Sequence, residues 1–357
     1  MFYFCLIICI ILLIPIQFKI KKIKQVIYLL ILSIIAGFRY GIGTDYFAYS
    51  RAYYNFNLFD LHTLMNNDFG MEKGYIILNK SLGMISNDSQ IIFLVCSFIT
   101  MFLIIKSSAD YCKNYELSIL LFIMLGYYHS SFNTIRQYIA ISIFLFSIRY
   151  ISSKQFLKYL ICILIASTFH VTSICLLLIY FVGNKNYSKT FLFLFSTLSL
   201  FINYFYEFII IKILPLVSKY YAIKYKGSIW LQSGVGGRYN YILIALLYIL
   251  ILICLYNKEK LDKFKYGNFV VNMVIISLAL LVLGTRSLLM FRLSLYFSIF
   301  LIVLVPTITE LFKDNKLKIV VCFLVIIISS YCYIYTLSAR DEVIPYRFNY
   351  NYITSVN

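Results

Sequence analysis

QVIYLLILSIIAGFRYGIGTDYFAYSRAYY, residues 25–54, is where the chain changes character. Its first half is an unbroken apolar run. Within eight residues of the end of that run stand Arg39, Gly41, Gly43, Thr44 and Asp45, and then Tyr46, Tyr49, Tyr53 and Tyr54 with Arg51 among them. An apolar helix that gives way to charge, turn residues and aromatic rings reads as a membrane span surfacing at a polar interface.

Composition extends that reading to the whole chain. Of 357 residues, 62% are hydrophobic and only 13% are charged, about half the charge a soluble globular domain carries. The mean hydropathy is +0.86. Apolar runs long enough to cross a hydrocarbon core recur throughout, so the expected fold class is all-α, a polytopic integral membrane protein. Twelve candidate spans are read, near 2–18, 25–38, 89–105, 117–130, 134–151, 157–170, 171–183, 190–206, 239–256, 268–284, 289–306 and 318–336. The fourth, sixth and seventh are short and fit tilted, broken or partly re-entrant segments, so that ten or eleven true crossings also fit. The net charge of +18 does not point to nucleic acid, because the lysines are dispersed between apolar segments. The nine cysteines fall mostly inside apolar runs and form no CxxC pair, which excludes a disulfide or zinc framework. The first apolar run has no basic region before it and no small-residue cleavage site, so it reads as a span and not a cleaved leader.

Orientation follows from the basic residues in short loops. An outside N-terminus puts Lys19–Lys24, Lys106, Lys113, Arg149, Lys154, Lys158, Lys185, Lys189, Lys258–Lys265 and Lys313–Lys318 on the cytoplasmic side. Nearly all of these are lysine. The other eight arginines, Arg39, Arg51, Arg136, Arg238, Arg286, Arg292, Arg340 and Arg347, fall outside. Lysine-rich coding explains the abundance of lysine but not the scarcity of arginine in the inner loops, where Arg149 stands alone. Arginine offers a planar fork that grips phosphate and never loses its charge, which suits an anion site at the outer face.

One domain is expected over 1–357. Residues 39–88 form an outer loop with a short helix at Glu72–Leu82. Residues 207–238 form a second outer segment, whose Lys212, Lys219 and Lys226 on an apolar background suit a helix in the headgroup plane. The tail from Ser338 is polar and expected outside.

Four polar islands interrupt the spans on that same side: Arg39–Tyr49; YYHSSFNTIRQ at 127–137 with His129, Arg136 and Gln137; FHVTS at 169–173 with His170; and GTRSLLMFRLSLY at 284–296 with Arg286, Arg292 and Tyr296. A charge inside a span costs about 2.5–3.5 kcal/mol on insertion scales, so it faces a cavity or a partner. Each island has an ordinary explanation too: a snorkelling Arg39, a packing His170, an Arg292 paired with Glu207 or Asp45. Together they suit a phosphate or diphosphate whose lipid tail stays in the bilayer. Tyr46 and Tyr49 suit sugar, since the ring packs on C–H groups and the hydroxyl reaches sugar hydroxyls. Asp45 or His170 is the candidate general base for a sugar hydroxyl. Arg136, Arg238, Arg286 and Arg292 are the candidate diphosphate ligands.

These residues resemble a known family. FRYGIGTDYFAYSRAYY (38–54) resembles the N-terminal signature of the EpsG-like and Wzy-type polysaccharide (O-antigen) polymerases. NTIRQYIAISIFLFSIRYISSKQFLKYLICILIASTFHVTSI (133–174) resembles their central block, and FRLSLYFSIFLIVLVP (291–306) their late arginine–tyrosine helix. Carried over by position, Arg39 and Asp45 match the first block, Arg136, Gln137 and His170 the second, and Arg292 the third. The resemblance implies a glycosyltransferase of the bacterial cytoplasmic membrane, without metal or cofactor, that polymerises oligosaccharide repeat units carried on undecaprenyl diphosphate for O-antigen, capsule or exopolysaccharide. Its implied partners are that lipid-linked oligosaccharide as donor and acceptor, membrane lipids, and a chain-length regulator and a flippase. A glycan ligase has similar chemistry. A flippase or other transporter would carry basic residues through the membrane depth, where this chain is nearly bare.

Overall fold

The computed structural model describes residues 2–16, 21–208, 238–312, 314–339 and 343–349. Apart from one isolated antiparallel bridge between Arg39 and Phe348, its regular elements are helices. The chain divides into two compact units, one of residues 1–177 with 312–357 and one of residues 178–311.

In the first unit, helix α1 (Phe2–Leu13) precedes α2 (Lys21–Gly37). Residues 39–88, expected as a loop with one short helix, contain three: α3 (Tyr46–Leu58), α4 (Leu61–Asn66) and α5 (Lys73–Gly83). Asp60 caps α4 by accepting from the Thr63 N–H at 3.2 Å, the usual service of an aspartate at a helix start. Helix α6 (Gln90–Tyr111) is the axis of the unit, packed on α2 and on α9 (Ile135–Ser152), which in turn packs on α10 (Phe156–Phe169). Ser33 and Ala36 on α2, Ser97 and Thr100 on α6, and Ala140 and Ser142 on α9 are all buried. Small side chains of this kind let apolar helices approach closely where no hydrophobic driving force separates helix from lipid.

The span expected at 117–130 is not one helix. Helix α7 (Tyr115–Met124) ends before Gly126, which takes φ +80°, and α8 (Tyr127–Asn133) follows as a separate element. Beyond α10 the chain tightens into a 3₁₀ helix over Val171–Leu178. This is continued without a gap by α11 (Ile179–Val182), so the apolar stretch at 171–183 is one short helix that changes from 3₁₀ to α.

The second unit comprises α11, α12 (Lys189–Tyr204), α13 (Arg238–Tyr256), α14 (Gly267–Gly284), α15 (Leu288–Ser298) and α16 (Leu301–Thr309). Helix α14 is its most buried part, flanked by α12, α13 and α15. Lys258 is buried there, its Nζ donating to Asn186 Oδ1 at 2.7 Å and to both carboxylate oxygens of Asp262 at 3.0 and 2.9 Å. Helix α17 (Asn315–Ala339) belongs again to the first unit.

By length and composition, α6 and α14 can each cross a membrane, and α15 with α16, bent by 42° at their break, passes the same test as a pair, in the manner of a broken span or a re-entrant loop. Shorter apolar helices, among them α1, α7, α10 and α12, accompany them. Their outward faces are oil: Leu30 and Ile34 on α2, Phe98 and Phe102 on α6, Leu157 and Ile161 on α10, and Leu198 and Phe201 on α12 are all exposed. Surface of that extent has no place in water. The chain is a membrane protein.

Candidate active site

In the first unit, charge gathers at the two ends of the α6 and α9 bundle. One end holds Lys24 on Glu116 at 2.9 Å and Arg149 on Asp110 at 2.9 Å, with Lys106 on the same aspartate at 3.0 Å. Lys24, Lys106 and Arg149 are three of the residues expected on one face. The other end holds the first residue of α6, the first turn of α9 and the end of α10, and there Arg39, Arg136 and His170 are found.

Arg39 follows directly on α2 and is 1% exposed. Its Nε donates to Ile42 O at 3.3 Å, Nη2 to Phe132 O at 2.9 Å, and Nη1 to Ala36 O. The rings of Phe93 and Phe132 lie 4.9 and 4.7 Å from the guanidinium carbon. Burial lowers this group from the ordinary arginine range to about 10, still charged at neutral pH. Gly43, at φ +95°, lets the turn lie against Asn133, whose Oδ1 would stand 2.3 Å from any Cβ there.

Two residues that the sequence did not single out hold this turn. Gln90, buried, donates through Nε2 to Arg39 O at 3.1 Å and to Gly37 O. Its Oε1 accepts from Tyr46 Oη at 2.9 Å and from Asn349 Nδ2 at 2.8 Å. Asn349 belongs to the C-terminal segment, expected as a polar tail on the outer side. That segment returns to the turn: Tyr40 N donates to Arg347 O at 2.9 Å, Asn349 N to Phe38 O at 2.8 Å, and Phe348 stacks on Phe38 at 5.4 Å.

The second cluster is built by α5, α9 and α10. Gly74 lets the start of α5 press onto the end of α10: a Cβ there would lie 2.3 Å from Thr168 Oγ1 and 2.8 Å from Thr168 O. That approach brings Glu72, at the N-cap of α5, to His170, which ends α10. Glu72 does not cap its own helix. One carboxylate oxygen, Oε2, pairs with Arg136 Nη1. The other, Oε1, accepts from the Val171 N–H at 3.1 Å, a donor left over where α10 breaks, and lies 3.4 Å from His170 Nδ1. Arg136 also hydrogen-bonds Tyr49 and lies over the Tyr75 ring at 5.9 Å. Burial works to raise the Glu72 carboxyl, but the His170 contact, the Arg136 charge and the Val171 N–H outweigh it and bring it down to about 2. The three side chains are 17%, 25% and 20% exposed for Glu72, Arg136 and His170, so the cluster is open at its surface.

The remaining expected residues distribute as follows. Asp45 is half-buried at the N-cap of α3, and among the described residues its carboxylate makes no hydrogen bond or ion pair. It acts electrostatically on Tyr49, one turn along. Tyr46 is buried with its ring stacked on Phe93 at 4.4 Å, Tyr49 is buried beside Arg136, and Gln137 is buried in the first turn of α9. Arg286, Arg292 and the fully buried Tyr296 belong to the second unit. Arg238 opens α13, but its side chain, like most of the 207–238 segment and Arg340, lies outside the described residues. Among the described residues no three His, Cys, Asp or Glu side chains come together to hold a metal ion. Glu72 was overlooked although a signal existed. Arg136 lies inside an expected span and calls for an acid from the same side, and Glu72 is the only glutamate in 39–88.

Compared with known proteins, residues 22–348 match the model of the EpsG family. No curated protein and no solved structure matches the chain.

Proposed function

The chain belongs to the EpsG family, which is a Wzy-like polymerase family, and we propose that it is a membrane glycosyltransferase polymerising oligosaccharide repeat units borne on a polyprenyl diphosphate of the undecaprenyl type. In this reading it passes the cytoplasmic membrane about twelve times and works at the outer face. The product is O-antigen, capsule or exopolysaccharide.

The observation that supports the reading is that Arg136 and His170, both partly open to solvent, meet on Glu72 at one end of the bundle beside the tyrosine-rich 39–54 wall, Arg136 to serve as anion ligand and His170 as proton acceptor. The acceptor is the non-reducing sugar of an incoming unit. Its hydroxyl proton passes to His170, and the hydroxyl oxygen forms the new bond to the anomeric carbon of the growing chain. The bond from that carbon to the lipid diphosphate breaks, and the diphosphate leaves with the electron pair. Arg136 compensates the negative charge that gathers on the leaving group; Arg238, Arg286 and Arg292 are proposed as diphosphate ligands from the sequence pattern alone. Asp45 is the alternative proton acceptor. Arg39, its nitrogens already on carbonyls, shapes the wall.

The test is the glycan ladder of the host cell. With Arg136→Ala or Arg292→Ala in place of the native gene, long glycan should disappear and single-repeat lipid-linked material should accumulate. Full-length chains in both variants would dispose of these assignments. Retention of long lipid-linked chains would point to a ligase.

A further inference from the structure

Glu72 has no part in the reaction as just written, yet it touches both groups that do. Its carboxylate is divided between them, one oxygen on Arg136 Nη1 and the other 3.4 Å from His170 Nδ1. Arginine and carboxylate can meet through two parallel bonds. Here only one nitrogen of Arg136 is paired with Glu72, and its buried Nε has no partner among the described residues. The guanidinium is therefore held by an internal anion without being saturated by it.

We propose that Glu72 is a positioning residue with two linked tasks: it occupies Arg136 until a diphosphate headgroup takes its place, and it fixes His170 through Nδ1 so that Nε2 is left to receive the proton. The inference rests on the polymerase reading of the same site. A hydrogen bond from Nδ1–H to a carboxylate selects the tautomer whose other nitrogen is the acceptor, and it steadies the imidazolium formed when the proton arrives. At 3.4 Å the contact falls outside hydrogen-bond geometry, as catalytic contacts often do before substrate is bound, and closes to a hydrogen bond in the reacting complex. Displacement from Arg136 takes one cationic partner from the Glu72 carboxylate just when His170 is about to become positive. Headgroup binding and proton acceptance are thereby joined through one carboxylate. The backbone supports the arrangement: the Val171 N–H holds Oε1 beside the ring at 3.1 Å, so the carboxylate can release Arg136 without leaving His170.

The contrast that tests this is affinity against turnover in Glu72→Gln, which keeps shape and an acceptor for Val171 but loses the charge. The purified protein is titrated calorimetrically with inorganic diphosphate and, separately, with a short-chain prenyl diphosphate. Ladder growth is followed in the host. Relieved of its competitor, Arg136 should bind both probes roughly tenfold more tightly, while ladder growth falls on the order of a hundredfold for want of an oriented base. A merely structural glutamate would weaken both binding and growth. Glu72→Asp, which keeps the charge, should lie between wild type and Gln in both measurements. Weaker binding in Glu72→Gln, or unchanged ladder growth, overturns the proposal, and tightening with inorganic diphosphate alone removes the link to the lipid-borne leaving group. If wild type binds neither probe, or Arg136→Ala binds both as well as wild type, the reading of the site itself fails. That outcome is separate from a failure of Glu72 alone.

Discussion

Two arginines lie at the same end of the same helical unit, and they are used in opposite ways. Arg39 is 1% exposed and donates to three backbone carbonyls, those of Ala36, Ile42 and Phe132. Carbonyls cannot be exchanged for a ligand without unmaking the fold. Arg136, with a side chain 25% exposed, pairs with a side-chain carboxylate at the edge of the cluster, and a stronger anion can replace that partner. A charged side chain in a membrane protein is thus no pointer to a ligand in itself. What distinguishes a building arginine from a working one is whether its partners can leave.

The comparison is broken most directly at Arg39. Arg39→Ala orphans three buried carbonyls and removes the guanidinium between Phe93 and Phe132, which should cost roughly 3–5 kcal/mol and leave little folded protein. Arg39→Lys should recover only part of this, since an ammonium cannot reproduce the planar three-way geometry. Arg136→Ala, which leaves the half-buried Glu72 without one of its partners, should melt below wild type but well above Arg39→Ala, while its glycan ladder is lost. Thermal unfolding of the two variants decides it. If Arg39→Ala melts like wild type but makes no polymer, the two arginines do the same job.

Acid offers a milder separation. Glu72 sits at about 2, below its ordinary 4.5, because His170, Arg136 and the Val171 N–H together outweigh its burial. A carboxyl so depressed contributes stability that is complete above pH 4.5 and is lost as pH falls through that value toward 2. Arg39 stays charged over the whole window. The melting temperature should therefore fall between pH 4.5 and 2 in wild type, and the part due to this site should be missing in Glu72→Gln. Identical acid profiles for the two proteins would mean that the cluster does not hold the unit together.

Much of this was legible beforehand. Apolar run lengths placed the helices: the span read at 268–284 is the helix Gly267–Gly284, and the short helix read at Glu72–Leu82 is Lys73–Gly83. His170 stood out as a polar residue ending an apolar run, and it does end α10. The pairings were not legible. Glu72 meets Arg136 across 64 residues and Val171 across 99, and Asn349 meets Gln90 across 259. Periodicity describes the faces within one element and is silent on which ends of distant elements meet. The close approach that joins α5 to α10 depends on the missing side chain of Gly74, and a lone glycine in a sequence does not say what presses against it. The shortness of the span at 117–130 allowed for a break, but its place at Gly126 was not legible, because hydropathy runs straight through it.

The finest test concerns the tyrosines of the opening stretch, which the sequence alone could not divide. Tyr49 lies with the working arginine, hydrogen-bonded to Arg136. Tyr46 lies with the building one: one face of its ring is taken by Phe93, and its hydroxyl is taken by Gln90 Oε1. Tyr46→Phe removes that hydroxyl and nothing else. Gln90 Oε1 still accepts from Asn349, so no buried group is orphaned, and the loss should be about 0.5–1.5 kcal/mol with the glycan ladder unchanged. Were Tyr46→Phe to shorten the ladder at wild-type stability, its hydroxyl would have to reach sugar. The wall around Arg39 would then be part of the substrate site, and the distinction between the two arginines would hold for their partners but not for their surroundings.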